Sequence, residues 1–307
     1  MARGAHICNR MAKAGATFSG RPSKANGLAL YSRNGRRMTT IDEIKRVISA
    51  SSARWQAAET DQWLADSGIA PASTLFGLQI VANDPALVAS AESELDYLAL
   101  PPLPVAVDWR AEDGGKVTAI KDQKQCGSCV AFATCAVMES AWWIKCDKEL
   151  SLSEGHLFHC NGGSCSAGWN FIGALEAARQ GVGLVSDLPY DPAGTCVQIA
   201  PALKVSRYKL HTTLSARKRA VSQAPVVAGI TVYKDFLAYR GGIYEHLIGD
   251  VRGHHAVCVV GYSDVDECWI VKNSWGSGFG EQGFFRIKYG QCGIDSTNPF
   301  YSVEVEE

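Results

Sequence analysis

The chain contains no run of 18 apolar residues among its 307, so no membrane-spanning helix is expected. It lacks a charge excess of either sign. Thirty basic and 31 acidic side chains give a net −1, which offers no electrostatic case for nucleic acid. No component of its composition is extreme. With 47% apolar and 20% charged residues, 30 Gly and 11 Pro, it argues against disorder, collagen or a coiled coil. A chain of this length buries about 75% of its unfolded surface, so core is not limiting, and about two domains are expected.

The near-neutral total conceals a segregation. Residues 1–37 carry eight basic side chains, no acidic one, and no apolar stretch that reads as a secretory signal. An Arg-rich, acid-free start is open to three readings. It is an organelle transit peptide, a disordered leader, or upstream sequence that is not translated, with Met38 as the start. Residues 38–102 carry nine acidic and three basic side chains, and the remainder 22 and 19. This pattern points to three functional segments.

In the acidic segment, Thr40-x-x-Glu43 is a capping-box pattern, and Ile41, Ile44, Val47 and Ile48 follow at helical spacing. Trp55 and Trp63, eight apart, would share a face of a continuing helix that Gly68 and Pro71 stop. Residues 38–70 thus predict one or two amphipathic helices needing a partner surface. Leu75 to Val81 reads as a strand, and Leu98 to Pro104, with three prolines, as an extended linker.

Eleven cysteines is a high and odd count, and ten lie between Cys126 and Cys292. One cluster stands apart: Gln123-Lys-Gln-Cys126-Gly-Ser-Cys129-Val-Ala-Phe132. Cys-x-x-Cys is open to a zinc knuckle, a redox pair, or a disulfide cysteine beside a nucleophile. Zinc wants a second ligand pair, for which Cys160 with Cys165 is a poor candidate. A redox pair wants a preceding buried strand and an early place in a small domain. After Cys129, the apolar Ala131, Phe132, Met138 and Trp142 recur at helical spacing. Cys129 is therefore expected at the start of a buried helix, where the dipole favours the nucleophilic thiolate.

With Gln123 six residues before Cys129, this cluster resembles the papain family of cysteine peptidases. Arg252-Gly-His-His255-Ala-Val-Cys-Val-Val-Gly-Tyr262 resembles the family's His strand, and Val271-Lys-Asn273-Ser-Trp275-Gly its Asn segment. His255 lies 126 and Asn273 lies 144 residues after Cys129. Val107-Asp-Trp-Arg110 resembles a mature amino terminus. Leu152-Ser-Glu154, Tyr239-Arg-Gly-Gly-Ile-Tyr244 and Cys292-Gly-Ile294 follow in family order. The resemblance covers about residues 103–307.

The resemblance implies an α+β, two-domain papain-like fold behind a mostly helical prosegment. A helical half spans about 113–204 and a β-barrel-like half about 205–300, with the active-site cleft between. Strands are expected at Val226–Tyr233, His255–Tyr262, Cys268–Asn273 and Gly283–Tyr289. Cys129 would attack a peptide carbonyl and form an acyl-enzyme, and His255 would protonate the leaving amine. His254 competes for that role, but the motif sets the catalytic His directly before Ala-Val. Asn273 would orient the imidazole, Gln123 and the Cys129 N–H would hold the oxyanion, and Trp275 would shield the His–Asn bond. No metal or cofactor is implied.

The implied disulfides are Cys126–Cys165 and Cys160–Cys196, each worth about 2–4 kcal/mol. Cys292 has no obvious mate, and Cys135, Cys258 and Cys268 read as small buried thiols. Two positions depart from the family. Val130 replaces the usual Trp after the nucleophile, and Ala167 replaces a glycine whose backbone meets substrate. Gly168, His254 and Trp275 are expected along the cleft. The pocket for the second residue before the scissile bond would be walled by Trp169, Asn170 and Gly229, with Thr297 at its base. A neutral base favours Phe or Leu over Arg there, unless Asp295 reaches in.

The expected partners are a peptide or protein substrate and the chain's own prosegment, 38–102, as inhibitor. Cleavage is expected between Leu95 and Leu103, with Leu98 two residues before the cut. The prosegment shows no clear copy of the family's long helical motif. No nucleic-acid or membrane partner is expected, and a monomer is. The cysteine pattern favours an oxidising compartment, whether secreted, periplasmic or lysosome-like. Three rival functions remain: an acyl transferase or ligase on this scaffold, a non-catalytic binding protein, and an independent binding module at 38–102.

Overall fold

The computed structural model describes residues 39–67, 75–83, 85–91 and 100–307. The basic leader, Met38 and the expected cut at Leu98 lie outside the described residues. Helix α1 (Ile41–Ala50) opens as the capping box predicts, with the Glu43 N–H donating to Thr40 Oγ1 at 3.2 Å. It stops at Ser51, whose hydroxyl turns back onto the Ile48 carbonyl at 3.0 Å. The chain then extends into strand β1 (Arg54–Ala57) before the short helix α2 (Asp61–Ser67).

The single helix face expected for Trp55 and Trp63 is therefore not formed. Trp55 sits on the strand and Trp63 on α2, and both are buried. An eight-residue spacing suits a helix, but an aromatic residue beside an available sheet edge suits a strand better. Helix α3 (Pro85–Ser90) follows, and then strand β2 (Ala106–Asp108).

Helix α4 (Cys129–Cys146) is the core of the helical layer. Thirteen of its 18 residues are buried, so it is apolar all round rather than along one stripe. Its length and hydropathy would suit a membrane span, yet 72% of it is buried inside the fold. Helices α5 (Glu154–His159) and α6 (Phe171–Gln180) pack on it.

The remaining elements are β3 (Lys204–His211), α7 (Leu214–Gln223), β4 (Val226–Tyr233), β5 (Tyr239–Tyr244), β6 (Val251–Ser263), β7 (Cys268–Lys272), β8 (Phe284–Lys288) and β9 (Phe300–Glu306). They form one nine-stranded sheet in the order β1-β5-β8-β7-β6-β4-β9-β3, with β2 paired to β6. All pairings are antiparallel except β5 with β8. Of the expected strands, Val226–Tyr233 matches β4, and the other three fall within a few residues of β6, β7 and β8. The fold is thus α+β and papain-like, with an amino-terminal segment laid against it.

That segment enters the core. Ile44, Trp55 and Trp63 belong to the same buried cluster as Phe236, Tyr239, Tyr244, Trp269 and Phe285. Trp55 lies 5.1 Å edge-on from Tyr244. Strand β1 can approach because Gly242 sits at φ +93, where a Cβ would lie 2.2 Å from the Arg54 carbonyl oxygen. On α2, the buried Asp66 is ion-paired to both Lys234 and Arg252. A module that contributes core residues in this way is not independent of the rest.

Behind α4 lies a buried polar cluster. Lys121 Nζ is 2.7 Å from Glu139 and 2.6 Å from Glu154, and both carboxylates are almost wholly buried. Thr118 Oγ1 donates to Glu139 at 2.5 Å and accepts from Lys272 Nζ at 2.9 Å, which joins the helical layer to β7. Burial pushes the Glu154 carboxyl up to about 7, against the pull of Lys121.

Candidate active site

The site begins at the turn that starts α4. The Cys126–Cys165 disulfide and a hydrogen bond from the Gly127 N–H to the Cys165 carbonyl (2.9 Å) tie this turn to the opposite loop. The second implied disulfide, Cys160–Cys196, is also formed. Zinc ligation by these four cysteines is therefore excluded. Cys129 is free, fully buried and the first residue of the helix.

Its sulfur accepts the Ala256 N–H from β6 at 3.4 Å, so the thiol lies against the backbone beside His255. His255 Nε2 donates to Asn273 Oδ1 at 2.8 Å. An amide oxygen only accepts, so the neutral ring carries its proton on Nε2 and leaves Nδ1 as a base. The Ser274 N–H fixes Asn273 Oδ1 at 2.9 Å, and the Trp275 ring lies 4.6 Å from the imidazole.

Gln123 is fully buried. Its Oε1 accepts from Ser274 Oγ at 2.7 Å, which turns Nε2 toward the Cys126 carbonyl (2.7 Å) and the Leu75 carbonyl (3.2 Å). The structure thus brings Cys129, His255, Asn273 and Gln123 together. Ser274, which holds two of them, was not singled out in the sequence, although it stands inside the Asn-Ser-Trp-Gly segment.

Residues 75–81 cross this site. The predicted strand there is extended, with a single parallel bridge between Leu78 and Trp169. Trp169 N–H donates to the Gly77 carbonyl at 2.7 Å, Gln79 N–H to the Trp169 carbonyl at 2.8 Å, and Leu78 N–H to the His254 carbonyl at 3.2 Å. The Gly77 N–H points at the Cys129 sulfur. A Cβ on Gly77 would lie 1.9 Å from the Gly127 carbonyl oxygen, and one on Gly168 (φ +77) would lie 2.0 Å from the Gly77 oxygen. Only glycine fits at either place.

With the cleft covered, burial pushes the Cys129 thiol up to about 11, partly offset by N–H donors from Ala256 and Gly77. Burial pulls the His255 imidazole down to about 4, partly offset by Asn273. Thiol and imidazole are accordingly neutral here, although the helix start by itself favours the thiolate. Both shifts come first from desolvation, so both relax when water enters.

Leu78 marks a pocket. Trp169 and Gly229 line it as expected, and a Cβ on Gly229 would sit 2.8 Å from the Leu78 side chain. Thr297 lines the cavity that Leu78 borders, as Asn298 does; Thr297 is exposed there, and the buried residue against Gly229 is Asn298, whose amide donates to the Gly293 carbonyl at 3.0 Å. Asn170 spends its side chain capping α6, accepting the Gly173 N–H at 2.8 Å.

Asp295 is turned away from the pocket, accepting from Trp269 Nε1 at 2.9 Å and the Gly290 N–H at 2.8 Å. His254 offers the cleft its carbonyl, while its ring lies 3.4 Å from Thr231 Oγ1. Ala167 is exposed, and its carbonyl accepts from the Gln79 side chain at 2.9 Å. Among the other cysteines, Cys135, Cys258, Cys268 and Cys292 are buried thiols held protonated by burial, and Cys146 is exposed.

A helix-start thiol beside an amide-oriented imidazole, with a buried carboxamide facing the same point, defines a cysteine-nucleophile site. The sequence profile described as Papain family cysteine protease matches residues 103–302, and the chain belongs to that family. It is 34% identical over 222 residues to ananain of Ananas comosus, covering 67% of this chain and 63% of that protein. It is 38% identical over 203 residues to the viral cathepsin of Cydia pomonella granulosis virus, covering 62% and 60%.

The chain thus spans less than two thirds of the length of these two relatives. A recombinant stem bromelain precursor superimposes with TM-score 0.68 at 25% identity, covering 87% of this chain and 89% of that one. The digestive procathepsin L2 of Tenebrio molitor does so with TM-score 0.71 at 25% identity, covering 86% and 88%.

Proposed function

We propose that the protein is a cysteine endopeptidase made as a zymogen, with residues 103–307 as the enzyme and 38–102 as its inhibitory prosegment. Cys129 Sγ attacks the peptide carbonyl carbon, forming the S–C bond. The carbonyl oxygen becomes an oxyanion held by Gln123 Nε2 and the Cys129 N–H. His255, protonated on both nitrogens by the thiol's proton, gives one to the leaving amine as the C–N bond breaks. Water then attacks the acyl carbon while His255 takes its proton; the S–C bond breaks, the acid leaves, and the proton returns from His255 to the Cys129 sulfur. Asn273 keeps the ring in plane through its bond to Nε2.

The observation that carries this reading is the Leu75 carbonyl oxygen, 3.2 Å from Gln123 Nε2 and held where a substrate oxygen would bind. Chain direction supports the inhibitory role. Phe76 packs on Trp275 at 6.1 Å and Leu78 fills the Trp169–Gly229 pocket. If that pocket takes the residue second before the cut, substrate runs from it toward Trp275, opposite to the prosegment. A reversed chain fills the cleft without presenting a bond in line for attack. The two disulfides suit an oxidising compartment.

The test is Cys129→Ala. It abolishes hydrolysis of fluorogenic peptides, and a thiol-directed epoxide labels Cys129 alone in the processed parent. Activity near that of the parent in Cys129→Ala would sink the mechanism.

A further inference from the structure

The two donors assigned to the oxyanion come from separate pieces of chain: the Gln123 side chain from a loop, and the Cys129 N–H from the first turn of α4. One hydroxyl bridges those pieces. Tyr190 Oη donates to the Gln123 backbone carbonyl at 3.0 Å and lies 2.7 Å from Ser128 Oγ. The carbonyl only accepts and the phenol has one proton, so that proton goes to Gln123. Ser128 Oγ–H must then donate to Tyr190. The hydrogen-bond chain runs from Ser128 through Tyr190 to Gln123, each link polarising the next.

Ser128 is the residue before α4, and its side chain makes no capping bond to the helix. Its hydroxyl serves Tyr190 instead. The Tyr190 ring is fixed independently. It meets Phe132, one turn into α4, edge-on at 4.8 Å, and lies nearly parallel to His159 at 6.4 Å. Its loop is held by the Cys160–Cys196 disulfide and by Ser153 Oγ donating to the Leu188 carbonyl at 2.7 Å. Burial pushes the phenol up to about 12, so it stays a donor throughout the working range.

We propose that Tyr190 is a positioning residue that sets the separation of the two oxyanion donors by clamping the Gln123 backbone to the Ser128–Cys129 turn. It acts on the tetrahedral intermediate and leaves the nucleophilicity of Cys129 alone. This rests on the peptidase reading above.

The test is Tyr190→Phe, which keeps the ring and its packing and removes the hydroxyl alone. In the processed enzyme, kcat falls about tenfold while KM stays within twofold, because the lost contact matters in the transition state. Two inhibitors separate the effects. A peptide aldehyde adds to Cys129 to give a hemithioacetal whose oxygen sits in the oxyanion site, and its affinity falls about tenfold. A peptidyl epoxide alkylates the same sulfur by ring opening and forms no oxyanion there, so its rate is unchanged. Combining Tyr190→Phe with Gln123→Ala adds nothing to the loss from Gln123→Ala.

Ser128→Ala, which breaks the chain of hydrogen bonds at its other end, gives a loss of the same kind and keeps the test available if Tyr190→Phe does not fold. Unchanged aldehyde affinity, equal losses for aldehyde and epoxide, or additive losses with Gln123→Ala would each overturn the proposal. Failure of the peptidase reading looks different: the parent itself is not labelled by the epoxide, and the proposal falls with it.

Discussion

Replacing Gly77 by Ala should unlock the cleft in the uncut chain. The added Cβ would lie 1.9 Å from the Gly127 carbonyl oxygen, 2.3 Å from its carbon and 2.5 Å from its Cα. That backbone has little freedom to give way, because the Cys126–Cys165 disulfide and the bond from Gly127 N–H to the Cys165 carbonyl hold it. The segment carrying Gly77 must lift by more than 1 Å, since real contacts of this kind begin near 3 Å. Lifting breaks the Trp169–Gly77, Leu78–His254 and Gln79–Trp169 backbone bonds. At about 0.5–1.5 kcal/mol each, these amount to roughly 1.5–4.5 kcal/mol.

Unseating the buried Leu78 adds about 1.5–3 kcal/mol. The total, roughly 3–7 kcal/mol, corresponds to at least a hundredfold shift toward an open cleft, at 1.4 kcal/mol per factor of ten. The assay is the rate at which a peptidyl epoxide alkylates Cys129 in full-length protein before processing, followed by intact mass. Alkylation at least about a hundredfold faster than in the parent is expected. The Ile44, Trp55 and Trp63 anchors are untouched, so the chain should still melt cooperatively, with a melting temperature lower by roughly 5–15 °C. A labelling rate within twofold of the parent would refute the reasoning.

Further tests address charge, specificity and pH. Lys121→Met leaves Glu139 and Glu154 buried without their cation, which costs about 3–5 kcal/mol in a thermal or denaturant melt. A carboxyl whose folded pKa is raised, as burial raises that of Glu154, stabilises at low pH and loses that contribution as pH rises through about 7. The deficit should therefore be larger at pH 8 than at pH 5, and a pH-independent deficit would contradict this. Because Asn298 rather than an acid lies against Gly229, and Asp295 points elsewhere, Phe should be preferred to Arg at the second residue before the cut. The expected ratio is at least about tenfold, or roughly 1.4 kcal/mol; a kcat/KM ratio at or below one for Phe-Arg and Arg-Arg substrates would show the pocket to be misassigned. In the uncut chain, alkylation of Cys129 should climb only as pH approaches 11; after processing, the thiol value falls and the imidazole value rises, giving a plateau through neutral pH. Identical profiles for the two forms would refute the link between burial and the neutral pair.

Legibility in the sequence followed the physics of each signal. Cys129, His255, Asn273 and Gln123 could be named because each stands in a short motif that resembles one of the papain family's, and the fold brings the four side chains together. Helix α4 and strands β4, β6, β7 and β8 were readable because each carries a dense apolar pattern. Strands β3 and β9 were not anticipated: β3 mixes exposed Ser206 and Arg207 with buried positions, and its partner β9 is half polar. The amino-terminal segment misled because Trp55, eight residues before Trp63, fits two geometries, and only the waiting edge of β5 decides between them. Asn298, which lines the pocket beside Thr297, was not anticipated, because the irregular chain after Cys292 follows no periodicity that would set side-chain direction. Asn170 also caps α6, a role that an Asn directly before an apolar helical run allows.

The pairing of β1 with β5 has a cost that falls due later. While the amino-terminal segment is attached, β5 is an interior strand, flanked by β1 and β8. Once that segment leaves, β5 becomes the end of the sheet, with unpaired amides and carbonyls facing outward beside Tyr239 and Tyr244, whose rings Trp55 had covered. An open, aromatic strand end is a template on which another chain can add. What blunts it is its own composition. Arg240 is exposed at its second position, and Gly241 and Gly242 supply no side chains to grip a newcomer. The features that let β1 come close therefore also make the vacated edge a poor place for a second molecule to dock.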